Sequence, residues 1–170
     1  MNDYRIEKQS FTYPLLFRFL FRYGNIFITL LLVIYSLPLI VYLDEKMILT
    51  IPLLVNLFII YFLNRHYLNN YKILPFKIEA DDEKLVCTNF FLSKKEVVIY
   101  YSDIKSLSGG SFENKLSGIM KVYSRNNPDC IGFYHKLRNS SKLVTYILSK
   151  VKRPLYDEVL ERITMGRKKY

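Results

Sequence analysis

Ile26–Leu43 and Met47–Asn64 are two stretches of 18 residues without a charge, separated only by Asp44, Glu45 and Lys46. Nothing else in the chain restricts its fold as strongly. At the α-helical rise each stretch spans about 27 Å, close to the ~30 Å hydrocarbon thickness of a bilayer. Thirteen of the 18 residues in the first are Leu, Ile, Val or Phe, a composition that favours insertion by several kcal/mol. A helix in a water-soluble core needs polar residues recurring on its outer face, and neither stretch has such a face. In a chain of 170 residues, too little remains to bury two adjacent helices that are apolar all round. The expectation is a helical hairpin over residues 24–65 that crosses a membrane twice. A cleaved signal peptide fits less well, because 25 mostly polar or aromatic residues come first and no A-x-A site follows.

Orientation follows from the Lys/Arg bias. Arg18 and Arg22 precede the first span, Arg65, Lys72 and Lys77 follow the second, and the turn between offers one Lys46 against two acids. Both termini are therefore expected on the cytoplasmic side. Phe17, Phe19, Phe21, Tyr23, Tyr61, Phe62, Tyr67 and Tyr71 crowd the same boundary, where aromatic rings favour the headgroup layer. Residues 1–23 read as a cytoplasmic segment, with 11–23 lying along the interface as a short helix after Pro14. With the turn centred on Glu45, Pro38 and Pro52 share a depth, so both helices are expected to kink at one level. Asn56 falls within about a turn of Ser36 in depth. A hydrogen bond between them is worth about 1 kcal/mol and reads as interhelical glue, since two spans enclose no pore.

After His66 the period changes. Phe76–Ala80 and Lys84–Phe90 alternate around the acidic turn Asp81-Asp82-Glu83, a hairpin signature. Further strands are expected at Glu96–Tyr101, Ile104–Ser108, Gly118–Ser124 and Cys130–His135, with Gly109-Gly110 and Asn126-Asn127-Pro128-Asp129 as turns. The period then becomes helical. Asn139 or Ser140 is the expected cap of a helix through Lys150 with the stripe Leu143, Ile147 and Val151. Pro154 opens a second helix carrying Leu155, Val159 and Ile163. The expected fold class is α+β: a transmembrane helical hairpin, then a bent antiparallel β-sheet or barrel closed by a C-terminal helix. Residues 73–152 form the β domain with its capping helix, and 153–170 form an extra helix and a basic tail.

This order, with VIYYSDIKSLSGG (Val98–Gly110) between the third and fourth strands, resembles bacterial pleckstrin-homology-like domains. A hairpin anchor feeding directly into such a domain is similar to the YcxB-like and related membrane-anchored families. The resemblance rests on Tyr101-Ser102-Asp103-Ile104, a glycine pair and a closing helix, and covers about residues 20–150. It implies a PH-like domain and a binding or scaffolding module at the inner membrane, with no catalytic residues to transfer.

The residues themselves point to little chemistry. His66 and His135 have no partner at metal spacing, and Cys87 and Cys130 are far apart, so neither a zinc site nor any other metal or cofactor is expected. Both cysteines read as small hydrophobes in strands within a reducing compartment. Gly109-Gly110 lacks the Lys-Ser/Thr of a phosphate loop and suits a tight turn or bulge. The charge balance says more. The chain carries a net +10, of which +9 lies in residues 65–170, and such a surplus favours anionic partners. Arg18, Arg22, Arg65, Lys72, Lys94 and Lys95 are the candidate contacts to anionic lipid, each worth about 1 kcal/mol near a charged leaflet. The plainer account of the same residues is solvated charge and positive-inside anchoring. Nucleic acid is disfavoured, because the aromatics needed for stacking are required by the core and the interface. Two functions remain. One is a non-enzymatic membrane-anchored module that contacts a protein or lipid; the other is an accessory subunit of a transporter or secretion assembly, packing through its hairpin.

Overall fold

The computed structural model describes residues 8–115, 117–126 and 130–167. The chain divides into two compact units. One is residues 15–71; the other joins the segment ending at Pro14 to everything from Lys72 onward.

The first unit is a helical hairpin. Helix α1 spans Leu15–Val41, a 3-10 turn covers Met47–Leu49, and α2 spans Thr50–Ile73. Both helices are long and apolar enough to cross a membrane. In their most apolar 18-residue windows only 11% of α1 and 6% of α2 is buried, so neither is a core helix within this chain. Helix α1 runs unbroken through residues 15–23, and the expected interfacial helix over 11–23 is not a separate element. No strong breaker lies between Leu15 and Gly24, and a single glycine costs only about 1 kcal/mol in a helix. The expected pair of matched proline kinks is corrected too. Pro38 lies inside α1, whereas Pro52 is the third residue of α2, where a backbone N–H has no intrahelical acceptor to lose.

Among the described residues the second unit holds seven strands in two antiparallel sheets. The first has the order β1-β2-β3-β4, from Gln9–Thr12, Pro75–Ala80, Lys84–Phe90 and Val97–Tyr100. The second has the order β5-β6-β7, from Ile104–Ser108, Ile119–Ser124 and Ile131–Tyr134. Helices α3 (Ser140–Lys150) and α4 (Arg153–Arg167) follow. The fold is thus α+β, with two antiparallel sheets and no closed barrel among the described residues. Strands β2 to β7 sit where the alternation puts them, within a residue or so. The turn expected at 126–129 lies beyond the described residues after Asn126, as does the tail from Lys168.

Strand β1 was not expected. QSFT precedes the hairpin in sequence yet pairs with β2, which follows it, in the register Gln9↔Ala80 to Thr12↔Lys77. Its inward residue Phe11 is 2% exposed, and Tyr13 just beyond is equally buried. The Tyr13 hydroxyl accepts the Tyr134 backbone N–H at 2.8 Å, and Arg138 N–H donates to the Thr12 carbonyl at 3.1 Å. The hairpin is therefore an insertion between two neighbouring strands of one sheet.

The core lies between the inner faces of the sheets and the helices. Phe76, Ile78, Leu85, Phe112, Val122, Phe133, Leu143 and Ile147 are all fully buried. Gly109 (φ +74°) and Gly110 (φ +48°) follow β5 in left-handed conformations, and a Cβ on Gly109 would stand 2.3 Å from the Ile119 carbonyl oxygen. The glycine pair is thus demanded by backbone approach. Asn139 does not cap α3. Its backbone is left-handed and it makes no capping bond; Ser140 Oγ instead donates to the His135 carbonyl at 2.8 Å.

Candidate functional site

The six basic residues singled out above divide between the units. Arg18 and Arg22 stand one turn apart on α1, and Arg65 lies on α2 with its guanidinium 3.1 Å from the Tyr61 hydroxyl. Lys72 is exposed in the last turn of α2. Lys94 and Lys95 sit in the β3–β4 loop, with the Lys95 ammonium 5.9 Å from the centre of the Phe90 ring.

Strand register places charged residues at both ends of the sheet unit. The hairpin joins the sheet after Thr12 and before Pro75. Pro75 is opposite Phe90, so the β3–β4 loop leaves from this same end. The segment after β7 is here as well, held by the bonds from Tyr134 and Arg138 to Tyr13 and Thr12. This end carries Lys72, Lys94, Lys95, Lys136 and Arg138, with Glu96 as the exposed acid beside them. The opposite end carries the acidic β2–β3 turn, Asp81-Asp82-Glu83. Asp81 Oδ1 accepts the backbone N–H groups of Glu83 and Lys84 at 3.0 and 2.8 Å, which explains the tightness of the turn.

A second cluster sits at the acidic end. Asp82 Oδ1 accepts from Lys150 Nζ at 2.9 Å and from the Tyr146 hydroxyl at 3.1 Å. The Lys150 bond, with that from Tyr146, holds the Asp82 carboxyl below its usual range, and Asp82 in turn raises Lys150. Tyr101 packs edge-on against Tyr146 at 6.1 Å. Its hydroxyl is buried without a hydrogen-bond partner among the described residues, and burial pushes the phenol up. Asp82, Tyr101 and Lys150, with Glu83, Tyr100 and Ser102, line an open groove of about 320 Å³. The arrangement fastens the end of α3 to the sheet, with Lys150 neutralised by Asp82. Among the described residues no three His, Cys, Asp or Glu side chains group as metal ligands. Cys87 is fully buried, which pushes its thiol up.

Polar contacts in the hairpin unit are concentrated on one seam. Asn56 Nδ2 donates to Ser36 Oγ at 2.6 Å and to the Leu32 carbonyl at 2.9 Å. Nearer the helix ends, Asn25 Nδ2 donates to Asn64 Oδ1 at 2.8 Å, and Asn64 Nδ2 donates to Thr29 Oγ1 at 3.0 Å. The Tyr71 hydroxyl closes the seam on the Arg22 carbonyl at 3.1 Å. Residues 22, 25, 29, 32 and 36 recur every three or four positions, so they share one face of α1. Sequence reasoning identified Ser36 and Asn56 but missed Asn25, Thr29 and Asn64. For Asn25 and Asn64 the signal was there, since the two are nearly equidistant from Glu45.

No family model, curated protein or solved structure matches this chain at a significant level.

Proposed function

We propose that this chain is a non-enzymatic, membrane-anchored binding or scaffolding module of the pleckstrin-homology-like type, held at the cytoplasmic face of a bacterial inner membrane. The pairing of β1 with β2 carries the reading. Two strands that share a ladder occupy one compartment, so the intervening residues cross any membrane an even number of times. Two helices of sufficient length and hydropathy lie between them. With the Lys/Arg bias, this supports both termini in the cytoplasm. Four antiparallel strands, then three, then an amphipathic helix support the PH-like assignment. Tethering raises the effective concentration of the module for neighbours at the membrane, so weak contacts with a protein or anionic lipid suffice.

The accessory-subunit reading draws less support. Asn56, which a partner helix would need as a polar contact, is 4% exposed and spent on Ser36 and Leu32 within the hairpin.

The test is accessibility to a membrane-impermeant maleimide in intact cells and in inverted vesicles, with Cys87 and Cys130 replaced. Glu45→Cys is expected to label from outside and Glu83→Cys from the cytoplasmic side only, with N- and C-terminal tags digested together. Tags on opposite sides would sink the topology. Stoichiometric membrane companions after gentle extraction and crosslinking would favour the subunit reading.

A further inference from the structure

We infer that the β3–β4 loop, Phe91–Glu96, is a second membrane contact: an apolar tip that inserts Leu92 into the headgroup layer of an anionic bilayer, flanked by Lys94 and Lys95. This rests on the membrane reading above and assigns a surface of the sheet unit to lipid.

The first observation is the turn itself. Ser93 N–H reaches the Phe90 carbonyl at 3.5 Å, and Leu92 takes φ +53°. A turn with a positive φ at its third position calls for glycine or asparagine, and an L residue with a large side chain is strained there. Leucine holds the position while 89% exposed, so no packing among the described residues offsets the strain. A local rule broken without an internal gain points to a site used for something else. Lys95 N–H donates to Ser93 Oγ at 3.1 Å, which directs the chain back toward β4 and leaves Leu92 at the apex.

The second observation is independent and concerns placement. Phe90, the last residue of β3, is paired with Pro75, the first residue of β2. Pro75 follows the end of α2 at Ile73 by two residues. Neighbouring strands lie about 4.8 Å apart, so chain connectivity alone brings the root of this loop to the end of the sheet where the hairpin emerges. The charges agree. Lys94 is exposed on the loop, Lys136 and Arg138 are exposed at the same end, and the acidic turn Asp81-Asp82-Glu83 is at the other, offset there by Lys84 and Lys150. An apolar apex with basic flanks matches an anionic lipid surface, where apolar burial and headgroup attraction act together. The apolar groove of α3 and α4, lined by Leu148, Val151, Tyr156 and Leu160, is larger, but nothing identifies its occupant.

The chain has no tryptophan, so Leu92→Trp introduces a single reporter. The full chain carrying it is reconstituted in vesicles of phosphatidylglycerol and phosphatidylcholine with brominated acyl chains. Emission is expected to shift to the blue and to fall about twofold relative to unbrominated vesicles, with both effects weakened by salt and by Lys94→Glu with Lys95→Glu. Glu83→Trp, at the acidic end, should stay unquenched. Ile34→Trp, in α1, serves as the control for the hairpin. Quenching of Ile34→Trp without quenching of Leu92→Trp overturns the loop proposal and leaves the membrane reading standing. Absence of quenching in both overturns both, and a blue shift that depends only on protein concentration assigns the tip to a second copy of the chain. Leu92→Asn is the second variant. Asparagine tolerates the left-handed conformation, so the sheet unit should be at least as stable, while slowing of amide exchange at 91–96 on anionic vesicles is lost. A fall in stability instead would give Leu92 a packing role and refute the inference.

Discussion

Phe11→Ala probes the observation on which the topology depends. Phe11 is 2% exposed on β1, opposite Ile78 of β2. Truncating a buried phenylalanine costs about 3–5 kcal/mol through lost transfer energy and the cavity left behind. At about 1.4 kcal/mol per decade, that is roughly a hundred- to several-thousand-fold loss of protection against hydrogen exchange. Domains of this size have only about 5–15 kcal/mol in total, so the effect consumes a large share of it. The assay is exchange of the full chain in nanodiscs, read peptide by peptide. Peptides from β2, β3 and β7 should lose protection, while those from residues 25–64 keep theirs, because the hairpin is a separate unit. Ser10→Ala, on the exposed side of the same strand, should change little. Unchanged protection in β2 peptides would mean that β1 is not part of the sheet. The residues between β1 and β2 would then no longer be bound to cross an even number of times. A fragment starting at residue 73 is likewise expected to fold poorly, because it lacks β1 and Tyr13.

Three further outcomes follow from the geometry. A double-mutant cycle of Ser36→Ala with Asn56→Leu should give a coupling of about 0.6–1.7 kcal/mol, measured by hairpin unfolding in detergent; a coupling of zero would remove the seam as a cause of helix pairing. The lowered Asp82 carboxyl contributes stability that is present at neutral pH and lost as the pH falls through its depressed folded value, and the raised Lys150 loses its share as the pH rises through its own elevated value. Stability of the wild type relative to Asp82→Asn should therefore shrink at both extremes, and carboxyl NMR should show Asp82 titrating higher in Lys150→Met. Gly109→Ala should destabilise the sheet unit by about 1–3 kcal/mol through backbone strain, seen as faster proteolysis near β6; equal resistance would contradict the close approach to Ile119.

The two halves of the chain were legible to different degrees. The hairpin could be read from the missing charges alone, since an apolar side chain needs a place out of water whatever its neighbours are. Strands such as Lys84–Phe90 and Ile104–Ser108 were readable because an inward residue alternates with an outward one, and α3 because Leu143 and Ile147 return to one face. Even the meeting of Ser36 and Asn56 could be anticipated, because a tight turn at Glu45 ties depth in one helix to depth in the other.

What sequence by itself determined was local: which segments are apolar, with what period, and where charge accumulates. Tertiary structure decided the pairings between distant segments. QSFT is too short to show a period, and its partner lies more than 60 residues away, beyond the hairpin. Only the assembled sheet shows that Phe11 is buried and that the hairpin interrupts a β-ladder. The Leu92 tip was hidden for the opposite reason. A leucine in sequence promises burial, and its exposure emerges only when the described side chains have been placed and none covers it. Periodicity reports how each residue meets water, whereas register and exposure depend on which remote residues arrive.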